Sequence, residues 1–483
     1  MSESMVPHWL TKQAELNPDA TAIELDSGEQ ICFSELEQRS KTYARKLAQA
    51  GVKEDMHVGV LSSNSVQMVT LIHALSYLGA VAVMLNIRLT DQELSYQVDD
   101  ADVEKVFVHD ELKSTASKMQ FASKVHTFSD VEQLEEVEVL LKTELDLNKP
   151  CTIMYTSGTT GHPKGVVHTY GNHWWSAVGS VLNLGLKPEE KWLCVLPLFH
   201  VGGFSILIRS MMYGMPVYLL ESFNAQAVNH AICHKGVTIA SVVTVMLQRL
   251  IEDLGDNHYP ETFRCMLLGG GPVPQPILEK SSILSIPVVQ TYGMTETSSQ
   301  IATLSARDAL KKIGSAGKAL VPSQLHVTAE PGEVGDILVK GPMVTKGYYK
   351  RPDATKASFE EGWLKTGDLG RVDQEGYLYV VERHHDLIIS GGENIYPTEI
   401  ENVLYQIPEV KEAAVVGRRD AEWGQVPVAY AVVGQEDANA LTKERMMAVL
   451  IRELAPYKRP KDIIFLDQLP RNATNKIMRH KLR

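Results

Sequence analysis

The sequence predicts an α/β fold: a large N-terminal domain of βαβ-type sheets that includes a small β-rich subdomain, then a small α+β C-terminal domain. Apolar helical patterns alternate with short β-branched runs, which is typical of βαβ units. After Val334 short strands separated by turn residues take over, and a compact unit follows the charged segment Glu382–Asp386. The length of 483 residues allows roughly three domain-sized units.

The first βαβ units are predicted between residues 33 and 109. Two stretches have helical periodicity and three have strand-like runs: helices Phe33–Ala50 and Ser65–Leu78, strands His57–Ser62, Ala80–Leu85 and Lys105–His109. Gly79 lies between the second helix and the strand after it. We therefore expect Gly79 to end that helix.

The later strands follow the same logic. In the large domain we expect strands at Trp192–Leu196, Pro216–Leu220, Thr238–Val243 and Cys265–Leu268, and in the subdomain at Asp336–Lys340 and Tyr377–Val381. In the last unit Pro397 is expected in the first turn of a helix, before strands Ala413–Val416 and Val428–Val433. The predicted domains are residues 1–382 and residues 383–483.

Composition excludes several classes of protein. Lys and Arg number 47 against 59 Asp and Glu, so the formal net charge is −12, which argues against a nucleic-acid partner. The longest apolar stretch, Leu71–Leu85, is too short and too interrupted to span a membrane. The cysteines are scattered without a CxxC pair, which favours reduced thiols in the cytoplasm. They are Cys32, Cys151, Cys194, Cys233 and Cys265.

The densest chemical signal is the run Thr156–Gly165, which follows the apolar strand-like segment Thr152–Tyr155. Its glycines allow tight turns that aim backbone N–H groups inward, and its hydroxyl groups and Lys164 add donors and a positive charge suited to phosphate. The run lacks the GxxxxGK[ST] spacing of a Walker A loop. We therefore predict an anion-binding loop of another kind.

Four more motifs follow in order along the chain. They are Tyr292–Thr297 (YGMTET), Trp363–Asp368 (WLKTGD), Glu382–Ile395 (ERHHDLIISGGENI) and Pro470–Lys476 (PRNATNK). Together with Thr156–Gly165 they resemble the signatures of the adenylate-forming superfamily of acyl-CoA synthetases, and the resemblance covers essentially the whole chain. It implies the adenylate-forming enzyme fold with a mobile C-terminal domain, and the use of ATP, Mg²⁺ and coenzyme A on a small carboxylic acid.

The resemblance implies a first step in which the acid attacks the α-phosphorus of ATP and pyrophosphate leaves. In that step Glu296, beside Thr295, holds Mg²⁺, while Lys476 bridges the attacking carboxylate and the α-phosphate. Asp368 contacts the ribose hydroxyls, and Arg383 contacts ribose or phosphate. The remaining nucleotide-binding residues are Gly269, Gly270, Gly271 and Tyr292 around adenine, and Thr156, Ser157, Gly158, Thr159, Thr160 and Lys164 around the phosphates.

In the implied second step the CoA thiol attacks the acyl carbonyl and AMP leaves. The small domain is expected to rotate, removing Lys476 and bringing in the loop at Gly391 and Gly392. The hinge position is His385, where the superfamily commonly has Asp or Lys. The basic segment Tyr457–Arg483, densest at Lys458, Arg459 and Lys461, is a candidate contact for the CoA phosphates.

A closer resemblance concerns the acid. Leu196–Ser205, Leu267–Pro274 and Tyr292–Gln300 look like the corresponding segments of the 2-succinylbenzoate–CoA ligases of menaquinone biosynthesis. The substrate residues are then His200, Phe204, Gly270, Ser298 and Ser299, with His200 also in the catalytic set. Three alternatives stay open at this point: another aryl or medium-chain acid, a stand-alone adenylation enzyme that loads a carrier protein, and a non-catalytic nucleotide sensor. A homo-oligomer is possible.

Overall fold

The computed structural model describes residues 4–119, 121, 124–156, 163–270, 273–305, 307–308, 311–383, 386–390, 393–420, 423–434, 443–454, 456–472 and 476–483. The architecture is α/β, with a large N-terminal domain and a small C-terminal domain. The first sheet has six strands, parallel except for the antiparallel pair at its first edge. In spatial order these are β10 (Lys164–Thr169), β9 (Pro150–Thr156), β5 (Val81–Leu85), β4 (His57–Leu61), β6 (Lys105–Val108) and β7 (Val125–Thr127).

The second sheet has nine strands with a parallel centre and antiparallel ends. In spatial order they are β17 (Lys318–Ala319), β16 (Ser299–Thr303), β15 (Val288–Met294), β14 (Cys265–Gly269), β13 (Ile239–Val243), β11 (Trp192–Cys194), β12 (Val217–Leu219), β2 (Thr21–Leu25) and β3 (Gln30–Cys32). In open α/β sheets ligands bind beyond the carboxyl ends of the parallel strands, so the ends of β14 and β15 locate the expected site.

Two smaller antiparallel sheets complete the large domain. One pairs β1 (Met5–Pro7) with β8 (Glu144–Asp146). The other is the predicted β-rich subdomain, formed by β18 (Gln324–Val327), β19 (Gly335–Lys340), β21 (Trp363–Val372) and β20 (Phe359–Glu360), with β22 (Leu378–Arg383) also on β21.

Helices lie between the two large sheets and outside them. In β11 the side chains of Trp192 and Cys194 belong to the core between the sheets, whereas Leu193 belongs to the outer core, as the two-residue repeat of a strand requires. The helices are α1 (Trp9–Leu16), α2 (Phe33–Gln49), α3 (Val66–Leu78), α4 (Asp91–Asp100), α5 (Lys113–Ala116), α6 (Phe128–Glu132), α7 (Tyr170–Leu184), α8 (Val201–Tyr213), α9 (Ala225–His234), α10 (Thr244–Leu254), α11 (Gln275–Ile283) and α12 (Pro352–Ser358).

Local signals explain the bounds of α3. The hydroxyl of Ser65 accepts the N–H of Met68 at 3.1 Å and caps the start of the helix. Gly79 takes the left-handed conformation, with φ of 71°, and ends the helix. The predicted stop is therefore confirmed. Across the described residues, no helix combines the length and the apolar character needed to cross a membrane.

The last sheet contains five strands and is covered by two helices. The strands are β24 (Glu393–Ile395), β23 (Ile388–Ser390), β26 (Gly424–Val433) and β25 (Val410–Asp420), with β27 (Asp462–Phe465) parallel to β26. Helices α13 (Pro397–Leu404) and α14 (Lys443–Glu453) contribute Leu404 and Met446 to a core shared with Ile388 on β23. This unit has its own hydrophobic core, as an independent domain requires.

Candidate active site

A tight turn after β15 carries the YGMTET motif. Gly293 packs so closely on the next strand that a Cβ there would lie 1.8 Å from the carbonyl oxygen of Ser299, so only glycine fits. A 3-10 turn over Thr295–Thr297 follows, and Ser298 and Ser299 both have positive φ, 52° and 106°. This strained turn fixes the position at which the Glu296 side chain leaves the sheet.

Glu296 is buried beside a tyrosine that sequence reasoning missed. Its side chain is 6% exposed, and its Oε1 accepts the hydroxyl hydrogen of Tyr348 at 3.0 Å. The ammonium of Lys164 lies 5.2 Å from the centre of the Tyr348 ring. The structure thus brings two predicted residues to Tyr348: Glu296 contacts its hydroxyl, and Lys164 lies over its ring. A tyrosine 52 residues from Glu296 gives no local signal of this contact.

Asp368 and Tyr292 form a second buried pair. The Tyr292 hydroxyl donates to Asp368 Oδ2 at 2.7 Å, and the two side chains are 8% and 4% exposed. Tyr292 therefore orients the carboxylate that the motif assigns to ribose. Arg383 lies opposite Asp368 in the β21–β22 ladder, which brings the backbone of these two predicted residues together. The structure does not describe the side chain of Arg383.

Two of the predicted glycines, Gly269 and Gly270, lie at the carboxyl end of β14. Gly270 has φ of 90°, a conformation that favours glycine. A Cβ at Gly270 would lie 3.0 Å from Val243, and one at Gly269 would lie 3.0 Å from Thr291. The packing of neighbouring side chains therefore favours glycine at both positions, and their contact with adenine stays a prediction.

The anion-binding run is described only at its two ends. Thr156 ends β9 and Lys164 begins β10, and the two are direct partners across the antiparallel ladder. Several predicted residues lie outside the described residues, so their predictions are untested: Ser157, Gly158, Thr159, Thr160, Gly271, His385, Gly391 and Gly392.

The predicted acyl site lies around the start of α8. His200 precedes the helix and Phe204 is one turn further on, 3% exposed. His200 Nε2 is 3.5 Å from the amide nitrogen of Asn86, and burial, with a smaller effect of Arg88, lowers the pKa of His200 to about 4. The imidazole is therefore neutral at pH 7, and its place at the acyl site stays a prediction.

The hydroxyl groups of the two predicted serines have different partners. Ser299 Oγ is 3.4 Å from Ser205 Oγ on α8, next to Phe204. The hydroxyl of Ser298 instead donates to the carbonyl of Met343 at 2.9 Å, and Ser298 is fully buried. The hydroxyl of Ser299 therefore lies beside the predicted acyl site and that of Ser298 is bonded to the backbone, and both substrate contacts stay predictions.

Arg209 is a buried cation that sequence reasoning also missed. It is 1% exposed, lies over the Trp192 ring at 4.9 Å, and donates to Gln300 Oε1 at 3.1 Å and to Ser299 Oγ at 3.4 Å. No carboxylate of the described residues forms an ion pair with it. A single arginine within the apolar stretch of α8 was the available signal, because a buried charge needs a partner.

In the small domain two hydrogen bonds join Lys476 to Asn472. Asn472 Oδ1 accepts the backbone N–H of Lys476 at 2.8 Å, and the backbone N–H of Asn472 donates to the Lys476 carbonyl at 2.8 Å. Arg471, which precedes Asn472, forms an ion pair with Glu412 at 2.9 Å. The side chain of Lys476 is exposed, and its role in adenylation stays a prediction.

The three cations at the densest part of the basic segment have partners within the protein. Lys458 pairs with Glu399 at 2.6 Å and Lys461 with Asp420 at 2.5 Å. Arg459 donates to backbone carbonyls of α14 and the turn after it. Neighbouring acceptors therefore satisfy all three cations, which weakens the hypothesis that this cluster binds the CoA phosphates.

Two family models match the chain. The AMP-binding enzyme model covers residues 10–349, and the model of the AMP-binding enzyme C-terminal domain covers residues 399–476. The 2-succinylbenzoate–CoA ligase of Oceanobacillus iheyensis is 53% identical over 487 residues and covers 100% of both chains.

Solved structures of the o-succinylbenzoate CoA synthetase of Bacillus subtilis are similar over the whole chain. The complex with the acyl-adenylate intermediate OSB-AMP has a TM-score of 0.93 at 42% identity, covering 99% of this chain and 98% of that one. The complex with ATP and magnesium has the same TM-score and identity, covering 99% of each chain. A double mutant bound to the product analogue OSB-NCoA has a TM-score of 0.77 at 42% identity, covering 99% and 98%. The chain therefore belongs to the AMP-binding enzyme family, in its 2-succinylbenzoate–CoA ligase branch.

Proposed function

We propose that this chain is an ATP-dependent ligase that joins 2-succinylbenzoate to CoA in menaquinone biosynthesis, with AMP and pyrophosphate as the other products. The observation that carries the proposal is the geometry at the end of β15. There the buried pairs Glu296–Tyr348 and Tyr292–Asp368 start from one motif. The chain as a whole matches, end to end, an enzyme that holds OSB-AMP.

In the first step a carboxylate oxygen of the acid bonds to the α-phosphorus of ATP, and the bond from that phosphorus to pyrophosphate breaks. Asp368, oriented by Tyr292, binds the ribose hydroxyls, and Lys164 attracts the phosphates. Lys476 places its ammonium where negative charge gathers on the α-phosphate. Catalysis is then mainly positioning together with electrostatic stabilisation.

The residues present fit a magnesium ion carried by the nucleotide. Mg²⁺ usually takes one or two protein carboxylates together with phosphate oxygens and water. Glu296 is one such carboxylate, buried and oriented by the Tyr348 hydroxyl. In the part of the chain that the structure describes, no group of three or more His, Cys, Asp or Glu side chains converges into a metal centre. When bound, the ion would neutralise charge on the phosphates.

Arg209 supports an acid with a second carboxylate. Its guanidinium is desolvated, which lowers its pKa, and it contacts Ser299 at the predicted acyl site. A buried cation is strongly stabilised when an anion joins it. 2-Succinylbenzoate keeps one free carboxylate after adenylation, whereas benzoate and octanoate keep none. We assign Arg209 and Ser299 to that free carboxylate.

In the second step the CoA sulfur bonds to the acyl carbonyl carbon, and the bond from that carbon to the AMP oxygen breaks. We propose that the small domain rotates between the steps and takes Lys476 away. The comparison supports this rotation. Our structure matches the OSB-AMP complex at a TM-score of 0.93 but the product-analogue complex at 0.77, with equal identity and coverage.

The cysteines support a cytoplasmic location for the enzyme. Cys32, Cys151, Cys194, Cys233 and Cys265 are all free thiols, and a reducing compartment keeps thiols in that state. The domain boundary between residues 382 and 383 remains a prediction, and so does a homo-oligomer.

A pyrophosphate-release assay with a panel of acids tests the proposal. With ATP, Mg²⁺ and CoA present, 2-succinylbenzoate should give the largest kcat/KM and a CoA thioester in equal amount to the pyrophosphate. A larger kcat/KM for benzoate or octanoate would favour another acyl-CoA synthetase. Pyrophosphate without a CoA thioester would favour the loading of a carrier protein.

A further inference from the structure

Three buried polar side chains form a hydrogen-bonded chain behind the Thr295–Glu296 turn. Thr152 on β9 and His168 on β10 are partners across the antiparallel ladder, and His173 lies on α7. Thr152 Oγ1 is 3.1 Å from His168 Nδ1 and 3.1 Å from His173 Nε2. His168 Nε2 is 2.7 Å from the carbonyl oxygen of Thr295. Sequence analysis assigned no role to His168.

The direction of each hydrogen bond follows from the carbonyl at the end of the chain. Burial lowers the pKa of His168 to about 4 and that of His173 well below its usual value, so both rings are neutral at pH 7. Because the Thr295 carbonyl only accepts, His168 carries its hydrogen on Nε2 and its Nδ1 accepts from Thr152. The Thr152 oxygen then accepts from His173 Nε2–H. The chain has a single consistent arrangement.

This arrangement fixes the Thr295 carbonyl from two sides. Besides His168, the backbone N–H of Ser298 donates to the same oxygen at 3.0 Å and closes the 3-10 turn. A carbonyl oxygen has two lone pairs, and both are used. The peptide that precedes Glu296 is therefore held in one orientation.

The hydrogen-bonded chain of Thr152, His168 and His173 also connects two parts of the active site. Lys164 and His168 are four residues apart on β10, so both project from the face of the strand that meets the Thr295–Glu296 turn. At the other end the His173 ring lies 4.9 Å from the Phe204 ring, a wall of the predicted acyl site. The hydrogen-bonded chain thus runs from the acyl wall to the turn that carries Glu296.

We propose that His168 is a positioning residue for adenylation: its Nε2–H holds the Thr295 carbonyl and so sets the direction in which Glu296 faces the nucleotide. The inference rests on the proposed function, because it assigns a supporting role within the same site. His168 itself touches neither the nucleotide nor the acid. Its effect is confined to the first step, in which the Glu296 carboxylate acts.

Two substitutions at one position separate positioning from packing. His168→Leu removes the donor, and we expect kcat of ATP–pyrophosphate exchange to fall about tenfold and the Mg²⁺ concentration at half-maximal rate to rise. His168→Gln places an amide N–H near the Nε2 position, so it should recover most of that loss. Thioester formation from pre-made acyl-adenylate should stay within about twofold of the unmodified enzyme for both variants.

Two further variants complete the test. Thr152→Val breaks the link between the imidazoles but keeps the shape of the side chain, and we expect a smaller loss in the exchange reaction alone. His73→Leu is the control for packing, because His73 is 3% exposed and lines one cavity with Thr152 and Phe204, and among the described residues no hydrogen bond joins its ring to Thr295. It should change thermal stability without separating the two half-reactions.

The outcomes distinguish the inference from the proposed function. An equal loss of both half-reactions in His168→Leu, or a Gln variant no better than the Leu variant, would overturn the positioning role. If His168→Leu does not fold, the Gln and Thr152→Val variants decide on the same readouts. Failure of the unmodified enzyme to exchange pyrophosphate with any acid would instead overturn the proposed function.

Discussion

The two halves of the active site differ in how firmly their side chains are held. In the large domain Glu296, Tyr292 and Asp368 are all less than a tenth exposed and bonded to other side chains. In the small domain the side chain of Lys476 is exposed, and its backbone N–H donates to Asn472. The site at which both steps take place is held by buried side chains, and Lys476, which serves only the first step, sits on the domain proposed to move.

The largest expected effect concerns the exposed half. Lys476→Ala should lower the rate of ATP–pyrophosphate exchange by roughly 10²–10³, because it removes one well-placed charge from the transition state. Lys443→Ala is the matched control, since Lys443 is exposed in the same domain and pairs with Asp462. Steady-state exchange with purified variants measures the effect. A loss below about threefold would contradict the role of Lys476.

The next effect concerns the buried half. Arg209→Met should lower kcat/KM for 2-succinylbenzoate by roughly 10–100-fold, since a buried charge pair is lost. The same substitution should change kcat/KM little for 4-oxo-4-phenylbutanoate, the analogue without the ring carboxylate. Arg264→Met is the control, because Arg264 is paired with Glu190 elsewhere in the fold. Equal losses for the two acids would remove Arg209 from substrate recognition.

A smaller effect is expected from the tyrosine beside Glu296. Tyr348→Phe removes the hydroxyl that orients the carboxylate, and adenylation should slow about three- to tenfold. The neighbouring Tyr349 donates to Asp102 at 2.8 Å, away from the turn, so Tyr349→Phe provides the comparison. Single-turnover adenylation distinguishes the two variants. If both behave alike, the contact between Tyr348 and Glu296 has no part in the step.

The smallest effect is expected on the basic segment of the small domain. Lys458 is paired with Glu399, which raises the pKa of the lysine, so Lys458→Gln should change KM for CoA by less than about twofold. Titration of CoA at low and high salt checks this. A large, salt-sensitive rise in KM would restore the sequence-based hypothesis of a phosphate-binding surface there.

Local sequence was enough to predict the elements and the motifs. The helix predicted at Ser65–Leu78 is observed at Val66–Leu78, and Gly79, the predicted stop, acts within one turn of the helix end. The strand predicted at Ala80–Leu85 is observed at Val81–Leu85. Motif residues were found because each one lies in a short segment with a recognisable pattern.

Contacts between distant segments were not predictable in the same way. Tyr348 and Glu296 are 52 residues apart, and His168 and Thr295 are 127 apart, so only the folded chain brings them together. The hydroxyl of Ser298 also has a partner that the motif does not reveal. Its motif position suggested a substrate contact, but its left-handed backbone conformation goes with a hydroxyl that donates to the Met343 carbonyl.

The central claim is that Lys476 serves adenylation alone, whereas the buried site of the large domain stays in place for both steps. The most direct measurement is thioester formation by Lys476→Ala from synthetic 2-succinylbenzoyl-adenylate and CoA, in a single turnover. We predict a rate within about threefold of the unmodified enzyme, although the same variant has lost most of its ATP–pyrophosphate exchange. A rate of thioester formation that falls as far as the exchange rate would contradict the account.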